Sequence, residues 1–425
     1  MANSFSKEER VAFENLLEGF NDALVLSRNV NIYNTDQTMM ARTNDIIWRP
    51  QPYIAQSVSS TPGTALASYQ NMTQLSVPAT LGNSRTVPWT MTTLDLRDAL
   101  QEGRLGDSAK QKLASDINTS IMTTASNLGS LVVTVAGAAG DYDDVALCDS
   151  IMNEQGVPTN DRFMALSSRD YNGLAGNIAN AQARSFQGAK SNNAYERSFV
   201  GMVAGFETFK LDYNNRVTAA AGGVTTIDTQ VAAGNYYVPV ATSTAVTGET
   251  ANVDNRFQTI TVSNSVGVVA GDAFTIDGVE AVHHITKQST GQDKTFRVVS
   301  VPAGGVTLVI TPPIISNQGS SDAEAQYQNT IVTPAAAAAI TWLNVNAAAT
   351  NVFWQKDSLE ILPGRYAVPT DAGTAVMRAT TDQGIEVVMQ KFYDIDSMTI
   401  KYRLDTLYGV VNKNPEMSGI LLFNQ

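Results

Sequence analysis

The side chains from which enzymes build their chemistry are scarce in this chain of 425 residues, which holds two histidines, one cysteine and 40 acidic groups. His283 and His284 are adjacent. In a strand they point to opposite faces and cannot clamp one metal ion, and serine and cysteine nucleophiles both need an imidazole positioned beside them. The pair is expected in a polar loop that begins after Val282. Cys148, the single cysteine, excludes an internal disulfide and a cysteine-based zinc site, and fits a reducing compartment. Asp141-Tyr-Asp-Asp144 with Asp149 is dense enough to suggest a cation site. An EF-hand loop begun at Asp141 would need Gly at its sixth position and Glu at its twelfth; Ala146 and Met152 stand there. These carboxylates are read instead as caps at the positive end of the following helix. Gly188-Ala-Lys190-Ser191 echoes the end of a phosphate-binding loop, but its Lys does not follow Gly directly and no second Gly lies five residues earlier. Gly201-x-x-x-Gly205 marks close backbone packing or a turn. No spacing supports a paired-carboxylate hydrolase. No metal, cofactor or enzymatic activity is expected.

The elements that would have to position such groups are more legible. Ser6 and Glu9 have capping-box spacing, and Phe13, Leu16, Leu17, Phe20 and Leu24 recur at helical intervals, which predicts an amphipathic helix over residues 7–27. Its outer face carries Glu8, Glu14, Glu18 and Asp22, either as a solvated surface or as an arm offered to a partner. Residues 51–88 show no sustained periodicity and read as disordered or as a functional extended loop, rooted by Trp48 and Trp89. Asp107 is an expected N-cap, and the apolar positions from Leu105 to Leu128 predict a helix of roughly 30 Å that ends at Gly129. A buried strand over 130–135 follows, then mixed α/β sequence with helices near 144–154 and 168–185. From about 217 to 344 the chain turns rich in Thr, Val, Ala and Gly, with short alternating strands between Gly-containing turns, the pattern of an all-β barrel or sandwich. Mixed sequence then returns, with strands over 359–367, 385–393 and 397–404, so one domain interrupts another.

Composition narrows the function classes. Only 16% of residues are charged and 43% are hydrophobic, against the roughly 25% charged share usual in soluble domains, which suits a protein that buries surface against copies of itself. The net charge of −12 opposes tight binding of phosphate backbones. Lys7, Glu8, Glu9 and Arg10 stand where a secretory signal needs an apolar run, and the longest such run, residues 335–340, is far short of the ~20 residues that cross a bilayer. A cytoplasmic site of synthesis and no membrane partner are expected.

The wording of residues 252–311 goes further: Asn252-Val-Asp-Asn-Arg-Phe257, Thr259-Ile-Thr-Val262, Phe274-Thr-Ile276, Phe296-Arg-Val-Val299 and Val306-Thr-Leu-Val-Ile-Thr311. It resembles the inserted β-barrel domain in coat proteins of short-tailed double-stranded-DNA bacteriophages of the Salmonella type. Similar stretches elsewhere are Met40, Arg42, Ile47, Trp48 and Pro50; Asp95-Leu-Arg-Asp98; Gly129-Ser-Leu-Val-Val-Thr134; Val203-Ala-Gly-Phe206; Thr350-Asn-Val-Phe-Trp354; and Tyr408-Gly-Val410 followed by Asn412, Pro415 and Glu416. The resemblance implies an α+β tailed-phage capsid fold. Its parts would be an N-terminal arm (1–40), an extended loop (41–90), and a peripheral domain with a spine helix (91–140, completed by about 375–425). An axial domain (141–216, completed by about 345–374) would carry the inserted β-barrel (217–344).

It also implies a major capsid protein that assembles with itself in pentamers and hexamers, and with a scaffolding protein, into an icosahedral procapsid. A portal protein would sit at one vertex, and double-stranded DNA would be packaged with weak non-specific contact. Residues 242–256, with Glu249, Asp254 and Arg256, correspond to a loop that reaches a neighbouring capsomer, and 281–294 to a loop tied to shell geometry. Only Asp254 to Phe257 match residue for residue there. A basic scaffolding protein is expected on the acidic helix face, with Glu14, Glu18 and Asp22 as docking residues. The rival readings are a phage tail or surface fibre, which the absence of internal repeats opposes, and a polysaccharide-cleaving hydrolase, which needs clustered aromatics where only 8% are scattered.

Overall fold

The computed structural model describes residues 9–425 except 12, 15, 18, 19, 21–23, 34–45, 53, 54, 56, 58, 59, 64–68, 70, 93–98, 183–193, 212, 224, 229–236, 305, 320, 367–374 and 382, and except the side chains of 99–107 and 180–182. Met40, Arg42, the Asp95–Asp98 stretch and the Lys190 motif lie outside the described residues. The chain divides into two compact units. The first comprises residues 1–47, 78–121 and 359–411, and the second 48–77, 122–358 and 412–425.

The first unit is built on a sheet whose hub is the strand Thr399–Asn412. Along one edge it pairs antiparallel with Glu386–Asp394, which pairs in turn with Ala375–Thr380; along the other it pairs with Asn83–Thr92, from Thr399↔Thr92 to Tyr408↔Asn83. Leu359–Pro363 joins the same hub and carries Asn31–Ile32 in parallel. The strand Asn83–Thr92 departs from the expectation of an unpatterned loop over 51–88, as does Ser76–Thr80. Pro78 and Pro88 conceal the strand signal, because proline cannot donate to a ladder and is tolerated only at edges or strand starts. Trp89 stacks on buried Tyr402 at 5.4 Å. The described N-terminal residues 9–11, 13, 14, 16, 17 and 20 are helical, and Phe13, Leu16, Phe20 and Leu24 are buried as their spacing predicts. Each such side chain contributes about 1.5–3 kcal/mol through removal of apolar surface from water. Glu9 is buried too, and accepts from Tyr402 Oη at 3.0 Å and from Lys391 Nζ.

The long helix runs from Ala99 to Leu128, so that Ala99 to Asp107 extend it beyond the start that capping at Asp107 predicts. Gly103 and Gly106 each cost about 1 kcal/mol relative to Ala, but a helix already nucleated gains one hydrogen bond for each further residue fixed. Thirty residues span about 45 Å. The helix ends at Gly129, where a Cβ would lie 2.8 Å from Ala125 O and 3.1 Å from the Gly419 backbone, so only glycine permits that approach.

In the second unit a mixed sheet runs in the order Leu131–Thr134, Ser418–Leu422, Asn351–Gln355, Arg162–Ser167, Phe206–Leu211, Met202–Val203. The first pair and the Arg162–Ser167 to Phe206–Leu211 pair are parallel, and the others are antiparallel. Ser418–Leu422 and Asn351–Gln355 are buried along their whole length, as central strands covered on both faces must be. Thus Ser418–Leu422 and Leu131–Thr134 lie in this sheet, whereas Leu359–Pro363 lies in that of the first unit. The helices Tyr142–Glu154 and Ser168–Gln182 place Val145, Cys148, Met152, Tyr171 and Leu174 in a core with Met164, Phe206 and Phe353.

The inserted residues form a second, all-antiparallel six-stranded sheet in the order Thr225–Thr226, Ala339–Trp342, Ala273–Val282, Ser289–Ser300, Thr307–Thr311, Gln258–Thr261. Its two ends meet: Ile227 bridges Val262, Asp228 N donates to Thr261 O, and Ser263 N donates to Thr226 O. Closure removes the unpaired edges that would otherwise invite aggregation. Inside, alternate residues bury Ile260, Phe274, Ile276, Phe296, Val298 and Leu308. Phe274 packs on Phe296 at 5.7 Å and on Trp342 at 5.6 Å.

Candidate interaction surfaces and the seam of the barrel

The barrel is fastened to the rest of the second unit by polar groups taken out of water. Lys294, whose side chain is 1% exposed, places Nζ 2.6 Å from Glu416 Oε1 and 3.0 Å from Gln155 Oε1. Beside it Thr295 Oγ1 donates to Ser130 O at 2.6 Å, and Ser130 N donates to Pro415 O. The turn after Val282, where the sequence places both histidines, extends the seam. His283 Nδ1 accepts from Ile285 N and Thr286 N, and its ring lies against Gly156, where a Cβ would come within 2.9 Å. His284 N donates to Gln155 O at 3.1 Å, and its Nε2 stands 3.6 Å from Glu416 Oε2. Burial lowers the His284 pKa to about 4 despite the attraction of Glu416. Burial alone would raise the Glu416 carboxyl, but Lys294 and His284 hold it down at about 2. The imidazole is therefore neutral at pH 7 and the carboxylate charged.

Arg256 is a second fastening point. Its Nη2 lies 2.6 Å from Asp254 Oδ2, its Nη1 donates to Asn412 O at 2.9 Å, and its guanidinium sits 5.1 Å from the centroid of Phe257. Asn255 between them is buried and ties Val240 N, Val240 O, Val253 O and Tyr237 Oη. These bonds form the root of a two-stranded hairpin, Thr242–Thr244 with Thr250–Asn252, in which every residue from 242 to 252 is exposed. Of the three contact residues expected in this loop, Glu249 is on the projecting hairpin, whereas Asp254 and Arg256 pair within the chain at its base.

Residues 71–75 of the extended stretch are held by side chains rather than by a ladder. Asn71 N and Thr73 N donate to Asp322 and Gln326, while Tyr327 Oη accepts from Leu75 N and donates to Thr73 O. Such backbone groups must find partners somewhere, and the short helix Asp322–Tyr327 supplies them. On the N-terminal helix Glu14 is exposed, while Glu18 and Asp22 lie outside the described residues.

The acidic run at Asp141 caps its helix: Asp144 Oδ2 accepts from Gly140 N and Asp141 N. Asp149 pairs with buried Arg162 at 2.5 Å. Among the described residues no three His, Cys, Asp or Glu side chains are grouped to hold a metal, and no helix is long and apolar enough to cross a membrane. The seam itself has no local signature, since its partners stand 122 and 139 residues apart.

Comparison with known proteins bears on the whole chain. The model of the family described as P22 coat protein, gene protein 5, matches residues 1–424. Among solved structures the chain is similar to the I-domain of the CUS-3 coat protein, with 39% identity over 28% of this chain and 95% of that one, at a TM-score of 0.23. It is also similar to a chain of the capsid of cyanophage P-SCSP1u, with 9% identity over 94% and 88% of the two chains and a TM-score of 0.46. A chain of the satellite phage P4 procapsid, a structure that includes its size determination protein, matches with 8% identity over 99% and 92% at 0.37. With the family model spanning all but the last residue of the sequence, the chain belongs to the P22 coat protein family and is a major capsid protein, a subunit of a bacteriophage shell.

Proposed function

We propose that this subunit closes pentamers and hexamers into an icosahedral procapsid by offering projecting segments to neighbouring copies. The observation that carries this reading is the hairpin 242–252, exposed on both faces yet firmly rooted through Asn255 and Arg256. A two-stranded hairpin is marginal by itself in water, so a fixed root with an uncovered tip suits a contact completed by a second subunit. Glu249 is the charged group placed to meet it, and the Asp254–Arg256 pair holds the geometry. Interfaces repeated around a closed symmetric shell can each be weak.

Charge gives the rest of the cycle. A net charge of −12 makes same-sign subunits repel at long range, which a basic scaffolding protein on the acidic face at Glu14, Glu18 and Asp22 would offset. The same balance lets double-stranded DNA, entering through a portal at one vertex, fill the shell with only weak, non-specific contact. Assembly would take place in the host cytoplasm, and the subunit's work is geometric rather than catalytic. Co-assembly with the scaffolding protein, followed by sedimentation and gel quantitation, tests these roles. Glu249→Lys is expected to lower shell yield severalfold without altering subunit melting, and Glu14→Lys to lower the scaffold content of the shells. Wild-type yield and wild-type scaffold content in the two variants would overturn them.

A further inference from the structure

The seam borders a cavity of about 240 Å³ in the second unit. Apolar walls come from Val157, Pro158, Ile285 and Met417, and Ile285, 61% exposed, stands at the rim. Two cationic or polar nitrogens face the same space. Lys287 Nζ donates to Gln326 O at 2.9 Å and Gln328 O at 3.1 Å, and among the described residues its third proton has no acceptor. His284 Nε2 is buried without a hydrogen-bond partner. Glu416 and Lys287 are the charged groups of the lining; Glu416 attracts Lys287 but takes Lys294, which is not in the lining, as its close partner. Pockets for small ligands combine apolar walls with a few placed polar groups, and here those groups are Lys287 Nζ and His284 Nε2.

We propose that this cavity is a binding site for a small aromatic carboxylate, with the ring between Val157 and Met417 and the carboxylate accepting from Lys287 Nζ and His284 Nε2. Volume agrees, since an apolar cavity of about 150 Å³ already accommodates one benzene ring, which leaves space here for the carboxylate. Burial lowers Lys287 to about 8, so its charge is poorly compensated in the free protein and a bound anion would stabilise it. The site is independent of the hairpin contact and of scaffold docking.

The probe is benzoate, titrated into the full-length unassembled subunit carrying 13C-methyl-labelled Met and Ile and followed by NMR. Benzoate is expected to shift the Met417 and Ile285 methyls saturably, with a Kd on the order of a millimolar for so small a ligand. Benzamide, which keeps the ring without the charge, and acetate, which keeps the charge without the ring, are each expected to bind at least about tenfold more weakly. Lys287→Met, where its thermal unfolding matches wild type, is expected to lose about tenfold for benzoate alone; should the variant not fold, the comparison among ligands decides. No saturable shift, a preference for benzoate below tenfold, or unchanged benzoate binding in folded Lys287→Met would overturn the proposal.

Discussion

Replacing Glu416 by Gln is expected to lower the unfolding free energy of the subunit by about 3–5 kcal/mol, because Lys294 would remain buried without a counter-charge. Its side chain is 1% exposed, so water cannot take over the role of the carboxylate. The pair as a whole is worth far less than that figure, since removing both charges also removes both desolvation penalties. Lys294→Met combined with Glu416→Leu should therefore regain most of the loss, and urea denaturation of the wild type and the two variants tests the difference. The same cluster sets an acid limit. Glu416 titrates at about 2 when folded against about 4.5 when unfolded, so its contribution is present above pH 4.5 and disappears as pH falls towards 2. His284, held near 4 against 6.5, acts in the same direction over a higher window: the unfolded chain takes up a proton first, and stability declines between pH 6.5 and 4. At 1.36 kcal/mol per pKa difference of one, that upper window is worth on the order of 3 kcal/mol. His284→Asn should flatten it, and an unaltered slope between pH 6.5 and 4 would show that the imidazole is not held neutral.

Phe296→Ala is expected to cost about 3–5 kcal/mol, the second large effect. The ring is fully buried, stacks on Phe274 and lies on the strand that also carries Lys294 and Thr295. Truncation would thus loosen the barrel core and the seam through one strand. Hydrogen exchange should show amides of 258–311 losing protection first, with those of Leu131–Thr134 following less. A loss below about 1 kcal/mol, or uniform loss of protection in both sheets, would mean that the barrel core does not stabilise itself. Isolated residues 217–344 are expected to melt cooperatively, because closure between Ile227 and Val262 makes the barrel self-sufficient.

What the sequence reveals of this fold is whatever repeats at short range. Phe13, Leu16 and Phe20 lie on one helix face, Leu24 follows at the same spacing, and all four are buried. Alternation and glycine turns likewise announce the barrel, because each strand buries every second residue into one core. The edge strand Asn83–Thr92 is hidden for the opposite reason: its partner lies more than 300 residues away, and nothing near Pro88 predicts that Arg403 will face it. The seam is invisible on the same grounds, since Lys294, Gln155 and Glu416 are unremarkable surface-type residues until topology brings them together. Arg256 is legible only as part of Asp254-Asn-Arg-Phe257; its bonds to Asp254 and Asn412, which lies 156 residues away, place it at the root of the hairpin.

Whether this chain builds a shell is decided by electron microscopy of the purified subunit at rising concentration, alone and with the scaffolding protein. Closed shells of uniform diameter, tens of nanometres across, are the predicted result. Monodisperse subunits or slender trimers under every condition would contradict it.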